Sequence, residues 1–177
     1  MIAFAPFMSD QPIHDLAGVV LNPLDFARDG RVKTGRIAVA KLLRLVDLLV
    51  DATGELQCEL RGEKDQQGDS FLSLTVSGAL QLLCQRCLEP MQYSLKVETR
   101  LRLIPPGAEW PEDELEDDSA DAIEAEPEMA LLPLIEEEVL LALPIAPTHE
   151  SCDAPAAGNK DQESSPFAVL AKLKNRV

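Results

Sequence analysis

Three stretches of the chain alternate apolar and polar residues with a period of two. In the first, Leu56, Cys58 and Leu60 alternate with Glu55, Gln57, Glu59 and Arg61. In the second, Leu72, Leu74, Val76, Gly78, Leu80 and Leu82 share one face, with Ser73, Thr75, Ser77 and Gln81 on the other. The third sets Met91, Tyr93, Leu95, Val97, Thr99, Leu101 and Leu103 against Gln92, Ser94, Lys96, Glu98, Arg100 and Arg102. This periodicity predicts strands with one face on a core and one in water. Turn signals at Gln67-Gly68-Asp69 and Glu89-Pro90 separate them. Connections this short suit antiparallel neighbours, because parallel pairing needs a longer crossover.

Helical spacing appears on both sides of these strands. Asn22 is placed to cap a short helical turn that Pro23 opens and Gly30 ends. Leu42, Leu45, Val46 and Leu49 predict a helix over residues 39–50, with Gly54 as its stop. Further along, residues 131–143 read as a short amphipathic helix with Pro133 in its first turn and Pro144 closing it. Within it, Glu136, Glu137 and Glu138 are adjacent, which spreads them around the helix as a solvated face. A last helix is predicted at 165–174, capped by Ser165, with Lys172 and Lys174 at the negative end of its dipole. The expected fold is α+β: an antiparallel β-meander covered by helices, with an acidic flexible insertion and a C-terminal helix. Residues 1–104 supply the N-terminal helix and the sheet, and 105–128 an acidic linker. Residues 129–177 supply helical segments docking on the same single domain.

Charge is unevenly placed. The net charge is -15, yet no Lys or Arg occurs between Leu103 and Asn159. Sixteen of the 31 carboxylates lie there, and the remaining fifteen face 16 basic residues elsewhere. Residues 105–128 combine Pro105, Pro106, Gly107 and Pro111 with dense acids, which opposes burial and favours a flexible linker. The opposite bias holds at 28–44, where Arg28, Arg31, Lys33, Arg36, Lys41 and Arg44 meet only Asp29. With the outward row Lys96, Arg100 and Arg102, these are the candidate contacts to RNA phosphates, which require only surface positive charge. No aromatics interleave with them, so base stacking is not indicated. The rival readings are a solvated surface or one that receives the chain's own acidic segment. The N-terminus lacks a basic region ahead of its apolar residues, and no apolar run approaches about 20 residues, so a cytoplasmic protein is expected.

The local motif with a chemical reading is Cys84-Gln85-Arg86-Cys87, at the end of one predicted strand. Two thiolates at this spacing can form half of a structural zinc site, and His149 with Cys152 can form the other half. The simpler alternative is that the Cys84 and Cys87 thiols shape a hairpin and bind nothing. Redox chemistry would need a helix N-terminus and a thioredoxin-like βαβ pattern, neither of which is present. Cys58, on the apolar face of its strand, reads as core. There is no phosphate loop, nucleophile elbow or His-Glu-x-x-His motif, and two histidines leave few groups for acid–base work. No catalytic residues are assigned and no enzymatic activity is expected.

Three motifs in order resemble one family. Leu83-Cys84-Gln85-Arg86-Cys87 followed by Pro90 looks like the Cys-x-Arg-Cys turn of the YceD family. Residues 134–149, from Leu134 and Ile135 through Pro147, Thr148 and His149, resemble its acidic helix, Leu-Ala-Leu-Pro and Pro-x-His run. The tail, from Pro166 and Phe167 to Leu173 and Lys174, is similar to its closing motif. The resemblance implies a non-enzymatic factor in synthesis, processing or stability of 23S ribosomal RNA. Its implied partners are large-subunit assembly components: the 23S precursor, or a ribosomal or processing protein. On that footing the expected role is an adaptor or chaperone, its acidic segment at 109–128 masking a basic ribosomal protein or the chain's own basic patch. The alternatives are a direct rRNA-binding protein that uses the basic surfaces at 28–44 and 96–102, and an rRNA-processing enzyme.

Overall fold

The three alternating runs are the centre of one sheet. In the computed structural model, which describes residues 14–110 and 120–153, they form β4 (Glu55–Lys64), β5 (Ser70–Leu83) and β6 (Pro90–Ile104). Each is antiparallel to the next. Strand β3 (Val32–Ala38) adds antiparallel to β4. Two short parallel edges, β1 (His14–Asp15) beside β3 and β7 (Asp121–Glu124) beside β6, complete the order β1-β3-β4-β5-β6-β7. A separate two-stranded ribbon pairs β2 (Val20–Leu21) with β8 (Met129–Ala130).

Register carries the sequence pattern into the core. Cys58 lies opposite Val76 and Val76 opposite Val97, while Gly62, Leu72 and Leu101 form a second row. These rows bury one face of the sheet, and helical pieces cover it. Helix α1 (Pro23–Arg28) is capped by the Asn22 side chain, which accepts from the Leu24 and Asp25 amides. It contributes Phe26 and Ala27 to the core. Its contact with β4 is close enough to exclude a side chain: a Cβ on Gly62 would lie 2.5 Å from the Phe26 carbonyl oxygen.

The single helix expected over 39–50 is instead a 3₁₀ turn (Val39–Lys41) and a one-turn α2 (Leu43–Val46), interrupted at Leu42, where φ is -88° and ψ 80°. The fully buried residues are Val39, Leu42 and Leu45. That interval of three suits the tighter helix, whose residues eclipse at i and i+3. Past α2 the chain runs out beside β5, with the Val50 amide donating to the Gln81 carbonyl at 2.8 Å.

Helix α3 (Leu131–Ala142) forms where its spacing places it and buries Leu131, Ile135 and Val139. Glu136 does not belong to a solvated face. It is 8% exposed, and its Oε1 accepts from the Arg44 amide at 2.8 Å, so a carboxylate of α3 caps the first turn of α2. Glu138 is half-buried, and burial raises its pKa, opposed by a hydrogen bond from Thr99 and reinforced by Asp121 and Glu137. Of this trio only Glu137 is exposed.

The acidic stretch at 105–128 contains ordered structure as well. Its residues 121–124 are β7, followed by Ala125, which is buried and donates to the Ile104 carbonyl at 2.7 Å. The pairing is parallel and uses the preceding residues as its crossover. Residues 111–119, the small polar stretch after 153 and the helix expected at 165–174 lie outside the described residues. Among the described residues no helix is long and apolar enough to cross a membrane.

The Gly62 contact is directly testable. Gly62→Ala drives a methyl group into the α1 backbone, and overpacking of this kind costs about 1–3 kcal/mol. The expected result is a lower denaturant midpoint with an unchanged m-value.

Candidate metal centre

The long β5–β6 pairing ends at Leu83 and Pro90, and the residues between them make a knuckle. It is closed at its base by the Cys84 amide donating to the Glu89 carbonyl (3.0 Å) and by Leu88 donating back to Cys84 (2.9 Å). Leu88 occupies the left-handed region at φ 62°. A bulky residue there carries strain that the surrounding structure must hold in place.

What holds it is a second segment. After α3 the chain leaves the helix at Leu143 and Pro144 and loops over the knuckle. The Gln85 amide donates to the Pro147 carbonyl at 2.8 Å. Arg86 reaches the same loop with two guanidinium nitrogens, one to the His149 carbonyl (3.0 Å) and one to the Cys152 carbonyl (3.1 Å). Nothing in the sequence pattern gave Arg86 this role. Its only signal was its place between the cysteines of the Cys-x-Arg-Cys turn.

The two segments bring Cys84, Cys87, His149 and Cys152 together, with every ligand atom within 4.8 Å of the others. The Cys84 and Cys152 sulfurs are 3.7 Å apart, and the Cys87 sulfur is 3.3 Å from His149 Nδ1. A disulfide would require about 2.05 Å, and all four cysteines of the chain are free thiols. These two separations instead match edges of a tetrahedron around a metal ion. Bonds of about 2.3 Å to sulfur and about 2.0–2.1 Å to nitrogen give edges of roughly 3.8 and 3.5 Å. These four residues can hold a metal ion.

The local field prepares a thiolate ligand. Burial alone would raise the Cys84 thiol. The backbone amides of Cys87, His149 and Arg86, together with the Cys87 side chain, outweigh it and bring the group down to about 5. The His149 amide, for example, donates to the Cys84 sulfur at 3.4 Å. Cys152, pushed up to about 11 by burial and by its bonds to the Cys84 and Cys87 sulfurs, keeps its proton beside that thiolate. Cys58 differs in kind: it is in the core, pushed up to about 12 by burial.

The basic residues singled out in the sequence are dispersed, and most sit against acids. Arg28 pairs with Asp25 and Asp29, Arg31 with Asp29, Arg36 with Glu55, Lys41 with Asp15, and Arg44 with Glu137. On β6, Lys96 pairs with Glu98 and Arg102 with Asp69, while the Arg100 guanidinium lies 3.8 Å above the Phe71 ring. Lys33 is half-buried on β3, opposite Leu60. Several of these carboxylates are distant in sequence, so a window over 28–44 shows the cations without their partners.

Comparison with known proteins adds a family to this geometry. Residues 72–174 match the family described as "Large ribosomal RNA subunit accumulation protein YceD", a span that includes β6, α3, all but the first two residues of β5 and all four candidate ligands. A protein of Haemophilus influenzae with the same description is 29% identical over 170 residues, covering 89% of this chain and 96% of its own length. No solved structure matches the chain.

Arg86 is expected to act as a positioning residue for the centre. Loss of groups that orient metal ligands typically lowers metal affinity about 10–100-fold. Arg86→Ala should therefore weaken cobalt(II) binding to the full chain by that factor, read from the thiolate-to-cobalt absorption band. Arg86→Lys should not restore it, since one ammonium does not reproduce the two-pronged contact.

Proposed function

The chain belongs to the YceD family, and from that premise we propose that it is a non-enzymatic factor of large-subunit biogenesis, supporting synthesis, processing or stability of 23S rRNA as an adaptor or chaperone. The observation that carries the adaptor reading over direct RNA binding is the pairing of the basic side chains with the chain's own carboxylates. A phosphate approaching Arg36, Lys41 or Arg44 meets Glu55, Asp15 or Glu137 beside it. Exposed acids such as Asp121 and Glu124, at the β7 edge of the sheet, offer a basic ribosomal protein a surface of opposite sign. Steering between opposite charges speeds such an encounter. The site of action proposed is the cytoplasm.

Within this reading the four-ligand centre holds zinc. Three sulfurs and one imidazole nitrogen form a ligand set typical of structural zinc. Because four protein ligands fill a tetrahedron, no position remains for an activated water, which supports a structural rather than catalytic ion. Its role is to fasten the loop after α3 to the β5–β6 knuckle.

Two measurements test these assignments. Elemental analysis of the full chain should find one zinc per molecule, and Cys87→Ser should lower the content. Chelation should expose amides in residues 143–153 to hydrogen exchange while those of β4 and β5 stay protected. Absence of bound zinc at saturating supply would overturn the assignment. For the adaptor role, affinity capture from cells should recover a ribosomal or processing protein after nuclease treatment has removed RNA. Recovery of 23S precursor free of other proteins, with steep salt dependence and loss on Arg36→Glu and Lys41→Glu, would establish direct RNA binding instead. Cleavage of the precursor by the pure chain would establish an enzyme.

A further inference from the structure

Beside the knuckle lies an apolar groove of about 300 Å³, lined chiefly by Leu48, Leu83, Leu140, Leu143 and Ile145. Leu48 is more than half exposed, and Ile145, in the loop that carries His149 and Cys152 over the knuckle, stands fully in solvent. The groove is thus an apolar trough on an otherwise strongly charged molecule, and among the described residues nothing fills it.

We infer that the groove is the docking site for residues 165–174 of the same chain, laid in as an amphipathic helix. Phe167, Leu170 and Leu173 recur every third residue, which places them in one stripe of about 120° on a helix, with Lys172 on the opposite side and Lys174 closing the stripe at its C-terminal end. That stripe supplies three large apolar side chains for an apolar trough. The route is short. The described chain stops at Asp153, one residue past Cys152, whose sulfur lies 3.7 Å from that of Cys84, and Gln85 and Pro147 are themselves part of the groove wall. Residues 154–164 are mostly small or polar, and such a linker of about a dozen residues spans roughly 20 Å on average. A tether of that length gives the tail a millimolar effective concentration at the groove, which a second copy or a free partner reaches only at high abundance. The family match runs from residue 72 through residue 174, so the tail and every groove residue except Leu48 fall within one matched unit. The inference rests on the groove and the chain path and is independent of the ribosomal role.

The test uses the full chain labelled at Leu and Ile methyl groups. Expected are nuclear Overhauser contacts from the Phe167 ring to the Ile145 and Leu83 methyls, independent of protein concentration. Phe167→Ser with Leu170→Ser should abolish them and shift the Ile145 and Leu48 methyl signals. Ile145→Asp, at a fully exposed position that leaves the sheet intact, should release the tail in the same way. If the double variant leaves the Ile145 and Leu48 signals in place, the inference is wrong. Contacts seen only between differently labelled molecules would overturn it in favour of a second copy as the occupant.

Discussion

The pairing of β5 with β6 runs unbroken from Phe71 opposite Arg102 to Leu83 opposite Pro90, and the rest of the molecule is arranged by it. A ladder of that length fixes which side chains face inward along both strands, because a slip of one residue would turn every Leu and Val of the row into water. It also delivers the turn at its far end in a defined orientation. Cys84 and Cys87 are held there with one sulfur buried and the other partly exposed. Helix α3 then packs on the inward face through Leu131, Ile135 and Val139 and carries the chain back toward the same end. The centre forms because one rigid ladder and one helix docked on it both finish at the same corner of the domain.

Electrostatics follows the same logic of distant partners. Arg44 shows it most clearly. Its amide is capped by Glu136 and its guanidinium pairs with Glu137, so one residue of α2 receives two neighbouring carboxylates of α3. Exposed pairs of this type contribute about 0–1 kcal/mol each, so they hold the fold together weakly. Their larger effect is on the field: a sequence that is basic over 28–44 becomes a surface of alternating sign. Glu136 is the exception. It is buried, and its bond supplies an otherwise unpaired amide at the start of a helix too short to stabilise itself.

Strands were legible where alternation was long. The runs at 55–61, 72–82 and 91–103 read as strands because each buries one face against a full core. Strand β3 was not legible, since Ile37 is its one fully buried side chain and its Lys33 and Arg36 read as a basic patch. The β7 edge was hidden for a related reason: Asp121, Ala122, Ile123 and Glu124 carry a single large apolar residue among acids. The break at Leu42 escaped because a spacing of three and one of four look alike over a dozen residues. At the centre, the donor types and their pairing into Cys-x-x-Cys and His-x-x-Cys were legible. The clasp by Arg86 was not, because carbonyl oxygens leave no trace in a sequence.

The two halves of the centre are separated by more than sixty residues, from Cys87 to His149 and from Cys84 to Cys152. Closing a loop of that size in a disordered chain costs about 4 kcal/mol of entropy, so an unfolded chain offers a metal only one pair of donors at a time. The sheet and α3 meet that cost by bringing both pairs to one corner of the domain. A metal ion would be held by all four ligands only in a chain that includes Cys152 and whose α3 has docked. Four-ligand occupancy would therefore report that the β5–β6 ladder and α3 have come together, which neither pair of donors alone can do.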